Sequence, residues 1–148
     1  MSNWKSITID DLKAVGSGII VDKARSTATG AIDPAQEAIA GAVSQVRATI
    51  STANALDADA TKVPNSLAKL TARLAIYTLM RRLRLPLSDD EKKDESEQEN
   101  RLTRYAEKNT KVETPDNPAC SAEMQVRGAE FAQKPVRERS SREQMRGL

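Results

Sequence analysis

The sequence predicts an all-α protein, a small bundle of about four helices followed by an extended C-terminal arm. Capped helix starts recur through the first part of the chain, and apolar residues there recur at steps of three and four rather than two. Beyond Thr110, prolines and basic polar sequence take over. The expected division is a helical domain over residues 1–110 and an extended linker with an arm over 111–148.

The first helix signal is Thr8-Ile9-Asp10-Asp11-Leu12. Thr8 can cap the backbone and Asp11 lies three residues on, a weaker form of the capping box. Acids in the first turn also suit the helix dipole. Gly16-Ser17-Gly18 ends this helix. Ile19 to Ala24 reads as a short further helical stretch, with Ile19-Ile20-Val21 also readable as a strand because β-branched runs are ambiguous. RSTATGAI, residues 25–32, reads as loop.

Asp33-Pro34 opens the next helix. Asp33 is a good N-cap, Pro34 suits the first helical position, and Glu37 completes an acidic first turn. Ile39, Val43, Val46, Ile50 and Ala53 make one apolar stripe, with Gln36, Gln45, Arg47 and Thr49 away from it. Ala40, Gly41, Ala42 and Ser44 are small enough to admit a close neighbour. After a break over Leu56–Thr61, Pro64 is expected to start the most apolar helix. Leu67, Leu70, Leu74 and Tyr77 form one line, which Ile76, Leu79, Met80 and Leu83 widen. A helix apolar over so much of its girth belongs at the centre of the domain, and Pro86 should end it.

Ser88 and Glu91 form a capping box for a helix reaching about Asn109. Its acids come early and its bases late, as the dipole prefers. It has almost no apolar stripe before Leu102, Tyr105 and Ala106, so its first half is expected to be solvated or to face another subunit. KVETPDNPACSAEM then holds two prolines and no periodicity. The closing residues, FAQKPVRERSSREQMRGL, carry Phe131, Val136, Met145 and Leu148 as their only large apolar side chains.

The apolar fraction is 39%, and Trp4, Tyr77, Tyr105 and Phe131 are the only aromatic residues. So lean a chain builds a core from part of its length and leaves the rest to be ordered by partners. Charge is uneven. Residues 1–87 carry 11 Lys/Arg against 7 Asp/Glu, residues 88–123 carry 6 against 11, and residues 124–148 carry 6 against 3. Alternating sign suits docking between protein surfaces better than one continuous nucleic-acid face.

Histidine is absent, which removes the commonest general base and metal ligand at neutral pH. Cys120 is the only cysteine, so neither an internal disulfide nor a cysteine zinc cluster can form. Asp57-x-Asp59 begins like a calcium loop, but Lys62 stands where that loop needs glycine and Ala68 where it needs glutamate. Asp89, Asp90, Glu91, Asp94 and Glu95 could hold divalent ions loosely, although a solvated helix start is the plainer reading. Gly16-x-Gly18 lacks the third glycine and preceding strand of a nucleotide fingerprint. The expectation is a protein without enzyme activity, cofactor or metal. No apolar run approaches the roughly 18 residues needed to span a membrane, and MSNWKSITIDD turns acidic where a signal peptide would be apolar. A soluble protein made in the cytoplasm is expected.

Arg81-Arg82-x-Arg84 is the dense basic spot of the helical part. These arginines could touch phosphate or contact another subunit, or they could pair with acids such as those after Ser88. With Lys69 and Arg73 they are the best support for an alternative reading, a small helical DNA-binding regulator. That reading needs a recognition helix with polar base-reading side chains, whereas this helix is loaded with leucine, isoleucine and methionine.

The order of features resembles a known family. It comprises a short capped helix, the helix DPAQEAIAGAVSQVRATI, the segment VPNSLAKLTARLAIYTLMRRLRLP, a polar helix ending RLTRYAEK, and a tail with SREQM and Arg-Gly near its end. The chain resembles the head–tail connector proteins of tailed bacteriophages, also called adaptor or head-completion proteins, in particular the Mu-like family. The resemblance implies a virion protein of the neck, at the head–tail junction. There it would form a homo-oligomeric ring, a dodecamer, beneath the portal protein and around the channel that double-stranded DNA crosses without sequence-specific binding. It implies that the arm docks on the portal, with Phe131, Val136, Met145 and Leu148 as apolar anchors and Arg137, Arg139, Arg142 and Arg146 pairing with acids. The opposite face would receive a neck or tail-completion protein. A neck stopper or tail-completion protein is the other reading within this class.

Overall fold

Leu70, Leu74, Ile76 and Leu79 point to different sides of one helix, so that helix can be satisfied only by neighbours all around it. In the computed structural model, which describes residues 1–16 and 18–119, it is surrounded in this way. In chain order the elements are strand β1 (Trp4–Ser6), helices α1 (Ile9–Val15), α2 (Gly18–Ser26) and α3 (Pro34–Ile50), strand β2 (Lys62–Pro64), a 3-10 turn (Asn65–Leu67), and helices α4 (Ala68–Arg82) and α5 (Asp89–Glu107). The protein is mostly helical, with five α-helices and one two-stranded sheet among the described residues.

Helix α4 packs against α1, α2, α3 and α5. Its Leu79 and Ala75 are fully buried, and Leu70, Leu74, Ile76, Tyr77 and Met80 nearly so. Helix α3 lays Ala35, Ala38, Ile39, Ala42, Val43, Val46 and Ile50 into the same core. Of the small residues on α3, Ala42 is buried, while Ala40, Gly41 and Ser44 stay exposed. At the end of α1, a Cβ on Gly16 would stand 3.0 Å from the Ile76 side chain. The glycine therefore lets the turn between α1 and α2 ride close over α4.

The helix starts follow the sequence closely. Thr8 with Asp11 and Ser88 with Glu91 both close reciprocal capping boxes, and the Asp33 side chain accepts from the Ala35 N–H ahead of Pro34. Ile19-Ile20-Val21 lies in helix α2, the helical one of its two readings. Three expectations are corrected. A two-stranded sheet, absent from the all-α expectation, forms between Trp4–Ser6 and Lys62–Pro64 in antiparallel register. These three-residue strands are too short to show alternation. Pro64 ends β2 instead of opening α4, because Val63 and Pro64 are drawn into the core beside Trp4. The third concerns the chain beyond Thr110. Residues through Pro118 belong to the compact unit Met1–Pro118, so the helical domain extends past residue 110.

Helix α4 ends at Arg82, just ahead of Pro86, and both C-terminal helices close on a left-handed residue. Arg84 has φ 53° and Asn109 has φ 47°. After α4, Arg84 N–H donates to Arg81 O and Leu85 N–H to Met80 O. After α5, Asn109 N–H donates to Ala106 O and Thr110 N–H to Tyr105 O. Both are Schellman closures, in which a left-handed residue turns the chain back over the last carbonyls. Asn tolerates that conformation, but an arginine Cβ does not tolerate it well. Replacing exposed Arg84 by glycine should therefore raise stability by roughly 0.5–1 kcal/mol in urea unfolding. A loss of stability would show that the Arg84 side chain holds something in the fold.

Candidate interaction surfaces

The basic residues of α4 are largely committed within the fold. Arg81 Nη2 lies 2.5 Å from Glu95 Oε1, and Arg82 Nη1 lies 2.5 Å from Glu37 Oε2. Arg73 Nη1 lies 2.8 Å from Asp94 Oδ1. Arg84 is exposed and serves as the left-handed residue that ends α4. Arg73, Arg81 and Arg82 thus turn to different partners rather than converging on one anion. The residues expected to dock on a portal, Phe131, Val136, Arg137, Arg139, Arg142, Met145, Arg146 and Leu148, together with Cys120, lie outside the described residues.

The first half of α5 is held to α4 by polar groups on one face, where the expectation had it solvated or facing another subunit, while its other face is exposed. Asp94 accepts from Arg73, from the Tyr77 hydroxyl and from Gln98 Nε2, while Glu95 and Gln98 are buried. Burial, and then the hydrogen bond to Asp94, push the Tyr77 phenol pKa upward, so it stays a neutral donor. Only further along do Leu102 and Tyr105 add apolar contact. The face turned outward carries Asp89, Asp90, Glu97 and Glu99 among Lys92, Lys93, Arg101 and Arg104.

Asp57 and Asp59 organise a turn. Asp57 is 1% exposed and accepts from the Asp59 and Asn117 N–H groups, and Asp59 accepts from Thr61. Among the described residues no group of three or more His, Cys, Asp or Glu side chains could hold a metal ion. No described helix is long and apolar enough to cross a membrane.

One residue that the sequence reading set aside proves central. Arg47, placed off the apolar stripe, is half-buried, and its guanidinium donates to three main-chain carbonyls. Nη1 reaches Asp59 O at 3.0 Å and Lys62 O at 2.7 Å, and Nη2 reaches Asp57 O at 2.7 Å. Its Cζ stands 5.7 Å from the centroid of the Trp4 ring, within cation–π range. Trp4 in turn is 1% exposed and donates from Nε1 to Glu113 O at 2.8 Å.

Residues 110–118 form a strap across this end of the body. Asn54 donates to Thr110 O and accepts from Val112 N–H. The Glu113 carboxylate accepts from the main chain and hydroxyl of Ser66. Asp116 accepts from the Ser2 hydroxyl and from the N–H groups of Asn3 and Trp4. Ala58 N–H donates to Asn117 O, and Asp57 bridges Pro118. The strap therefore fixes Asn117 and Pro118 against the turn at Asp57.

The described residues bear several concave surfaces, two of them beside α3. One, of about 580 Å³, runs along the outer side of α3 between Ile39, Ala40, Val43, Ser44 and Ala48 and the turn residues Ala60 and Thr61. The other, of about 630 Å³, lies under the loop Thr27–Ile32 beside Glu37 and Arg82. Neither brings together a nucleophile and a base. The chain matches no protein-family model, no curated protein and no solved structure.

Arg47→Lys should lower stability by about 1–3 kcal/mol in urea unfolding, because a single ammonium cannot reproduce a planar fork serving three carbonyls. A change below about 0.3 kcal/mol would remove Arg47 from its place in the fold.

The strap should loosen in acid. The hydrogen bonds from Ser2 and Asn3 hold Asp116 below the usual carboxylate range, and those from Asp59 and Asn117 do the same for Asp57. The stabilisation is complete above the unfolded carboxylate pKa of about 3.9 and is lost as pH falls through the lower folded values. Trp4, the chain's only tryptophan, reports it. Its emission should shift to the red as pH falls below the usual carboxylate range, and Asp116→Asn should weaken that pH dependence. An emission maximum that moves equally with pH in both proteins would contradict an acid-sensitive strap held by Asp116.

Proposed function

We propose that this protein is a head–tail connector of a tailed bacteriophage, an adaptor that forms a ring beneath the portal around the DNA channel and joins the head to the neck and tail. The observation that carries this reading is the order of its elements. A Thr8-capped short helix, the Asp33-Pro34 helix with small residues, the Arg-ended α4, and the Ser88-capped polar helix precede a basic C-terminal stretch. The ring would be a homo-oligomer, a dodecamer, with a neck or tail-completion protein on its far face. Double-stranded DNA would pass through the lumen without being read.

Two physical features support it over the DNA-binding regulator. Arg73, Arg81 and Arg82 are engaged by Asp94, Glu95 and Glu37, so a DNA phosphate would have to compete with pairs already formed. Helix α4, the helix with the basic end, is buried among four others rather than offered to a groove. The strap adds a mechanical element. It anchors the start of the C-terminal stretch at Asn117 and Pro118, so a load on that stretch is transmitted to α3 and the sheet through Asp57 and Arg47.

The test compares the full chain with a chain ending at Pro118, each mixed with the phage's portal protein. The shortened chain should keep a cooperative helical unfolding transition, because Met1–Pro118 is a compact unit. Only the full chain should co-elute with portal in size-exclusion chromatography. Equal portal binding by the shortened chain would refute arm docking, and absence of portal binding by the full chain would refute the connector reading.

A further inference from the structure

We infer that residues 110–118 lie in a peptide-binding groove of this protein's own. In their place the groove takes an extended acidic segment of a partner protein, with two carboxylates spaced as Glu113 and Asp116 are. The strap is then a built-in competitor for that partner. Neither the groove nor its ligand depends on the connector reading.

The strap is held as extended peptides are held, through its main chain and a few side chains. Asn54 donates to Thr110 O at 2.9 Å and accepts from Val112 N–H at 3.0 Å. Trp4 Nε1 donates to Glu113 O at 2.8 Å, Asn3 Nδ2 to Thr114 O at 3.4 Å and Ala58 N–H to Asn117 O at 2.7 Å. These donors come from separate parts of the chain, and folding of the body brings them into one line.

Two seats in that line fit carboxylates. At the first, Glu113 accepts from Ser66 N–H at 3.1 Å and from the Ser66 hydroxyl at 2.8 Å. The 3-10 turn Asn65–Leu67 and helix α4 behind it have no side-chain cap of their own, so their open N–H groups favour a negative charge. At the second, Asp116 accepts from Asn3 N–H at 3.0 Å, from Trp4 N–H at 3.3 Å and from the Ser2 hydroxyl. Hydrogen bonds to a charged acceptor are the strong ones, so the acidic pair sets the specificity.

The strap can leave without breaking the core. Thr114, Asp116, Asn117 and Pro118 are exposed, and Glu113 and Pro115 are only half-buried. Val112 packs on the core from outside, and no strap side chain is buried within it. A segment with little apolar burial opens at lower cost than the helices beneath it. While closed, the tethered strap competes at an effective concentration on the order of millimolar. A free segment with the same contacts is therefore kept out until the strap is weakened.

The probe is the synthetic peptide TKVETPDNP, residues 110–118, titrated calorimetrically into the full-length wild type and a full-length Glu113→Gln/Asp116→Asn variant. The variant keeps every donor of the groove and weakens only its occupant. It should retain a cooperative helical transition in urea and show redder Trp4 emission than the wild type. It should bind the peptide saturably, with Trp4 emission returning to the blue. The wild type should bind the peptide at least about tenfold more weakly. A peptide with Gln and Asn in place of its two acids should bind the variant about tenfold more weakly than the acidic one. Loss of the cooperative transition in the variant would overturn the inference, because the strap would then be part of the core. So would unchanged Trp4 emission, a variant that does not bind the peptide, equal binding by the wild type, or equal binding of the neutral peptide.

Discussion

The guanidinium of Arg47 is the point on which this end of the structure depends. It gathers the carbonyls of Asp57, Asp59 and Lys62 and lies near the Trp4 ring, tying α3 to the turn, to β2 and to β1. Three carbonyls directed at one place would repel one another without a cation between them, and a buried carbonyl without a donor costs free energy comparable to a lost hydrogen bond. The planar fork resolves both problems in one side chain. With the turn so fixed, Asp57 can receive Asn117, and Trp4 can offer its indole N–H to Glu113. The strap is thus a consequence of the node, and the sheet, only two strands of three residues, persists because the node and the strap hold it on either side.

Helix α5 shows the opposite arrangement. Its early turns contribute carboxylates to arginines on α4, and only its later turns contribute Leu102. Partly exposed ion pairs are individually weak, but here they share acceptors: Asp94 alone serves Arg73, Tyr77 and Gln98. Such a contact is geometrically exacting and sensitive to salt, unlike the apolar packing of α3 on α4. The body therefore combines a region held by burial with a helix held largely by charge.

Much of the helical order was legible because it rests on local rules. Thr8, Asp33 and Ser88 announce their helices through caps that involve only neighbouring residues, and the stripe Ile39, Val43, Val46, Ile50 marks a buried face by spacing alone. What was not legible depends on partners far along the chain. Arg47 reads as a solvent-facing residue until the turn folds over it. Val63 and Pro64 read as a helix start until Trp4 pairs with them. Lys111 to Pro118 reads as linker because its order comes from Asn54, Asp57, Ser66 and the N-terminus, none of them adjacent in sequence. The acids of α5 read as solvated because ion pairing with another helix has no periodic signature. The one legible hint was charge sign, since the bases of Arg73 and Arg81 to Arg82 precede acids in the next helix, and two of these pairs formed.

The bond between Asn3 and Asp116 spans 113 residues, almost the whole of the compact unit. Contacts of such separation carry the full entropy of closing the intervening chain and form after local ones have shortened it. The helices can collapse around α4 first, leaving Trp4 and the short sheet without their cover. During synthesis, the first strand of this protein waits for nearly the last residue of its own domain.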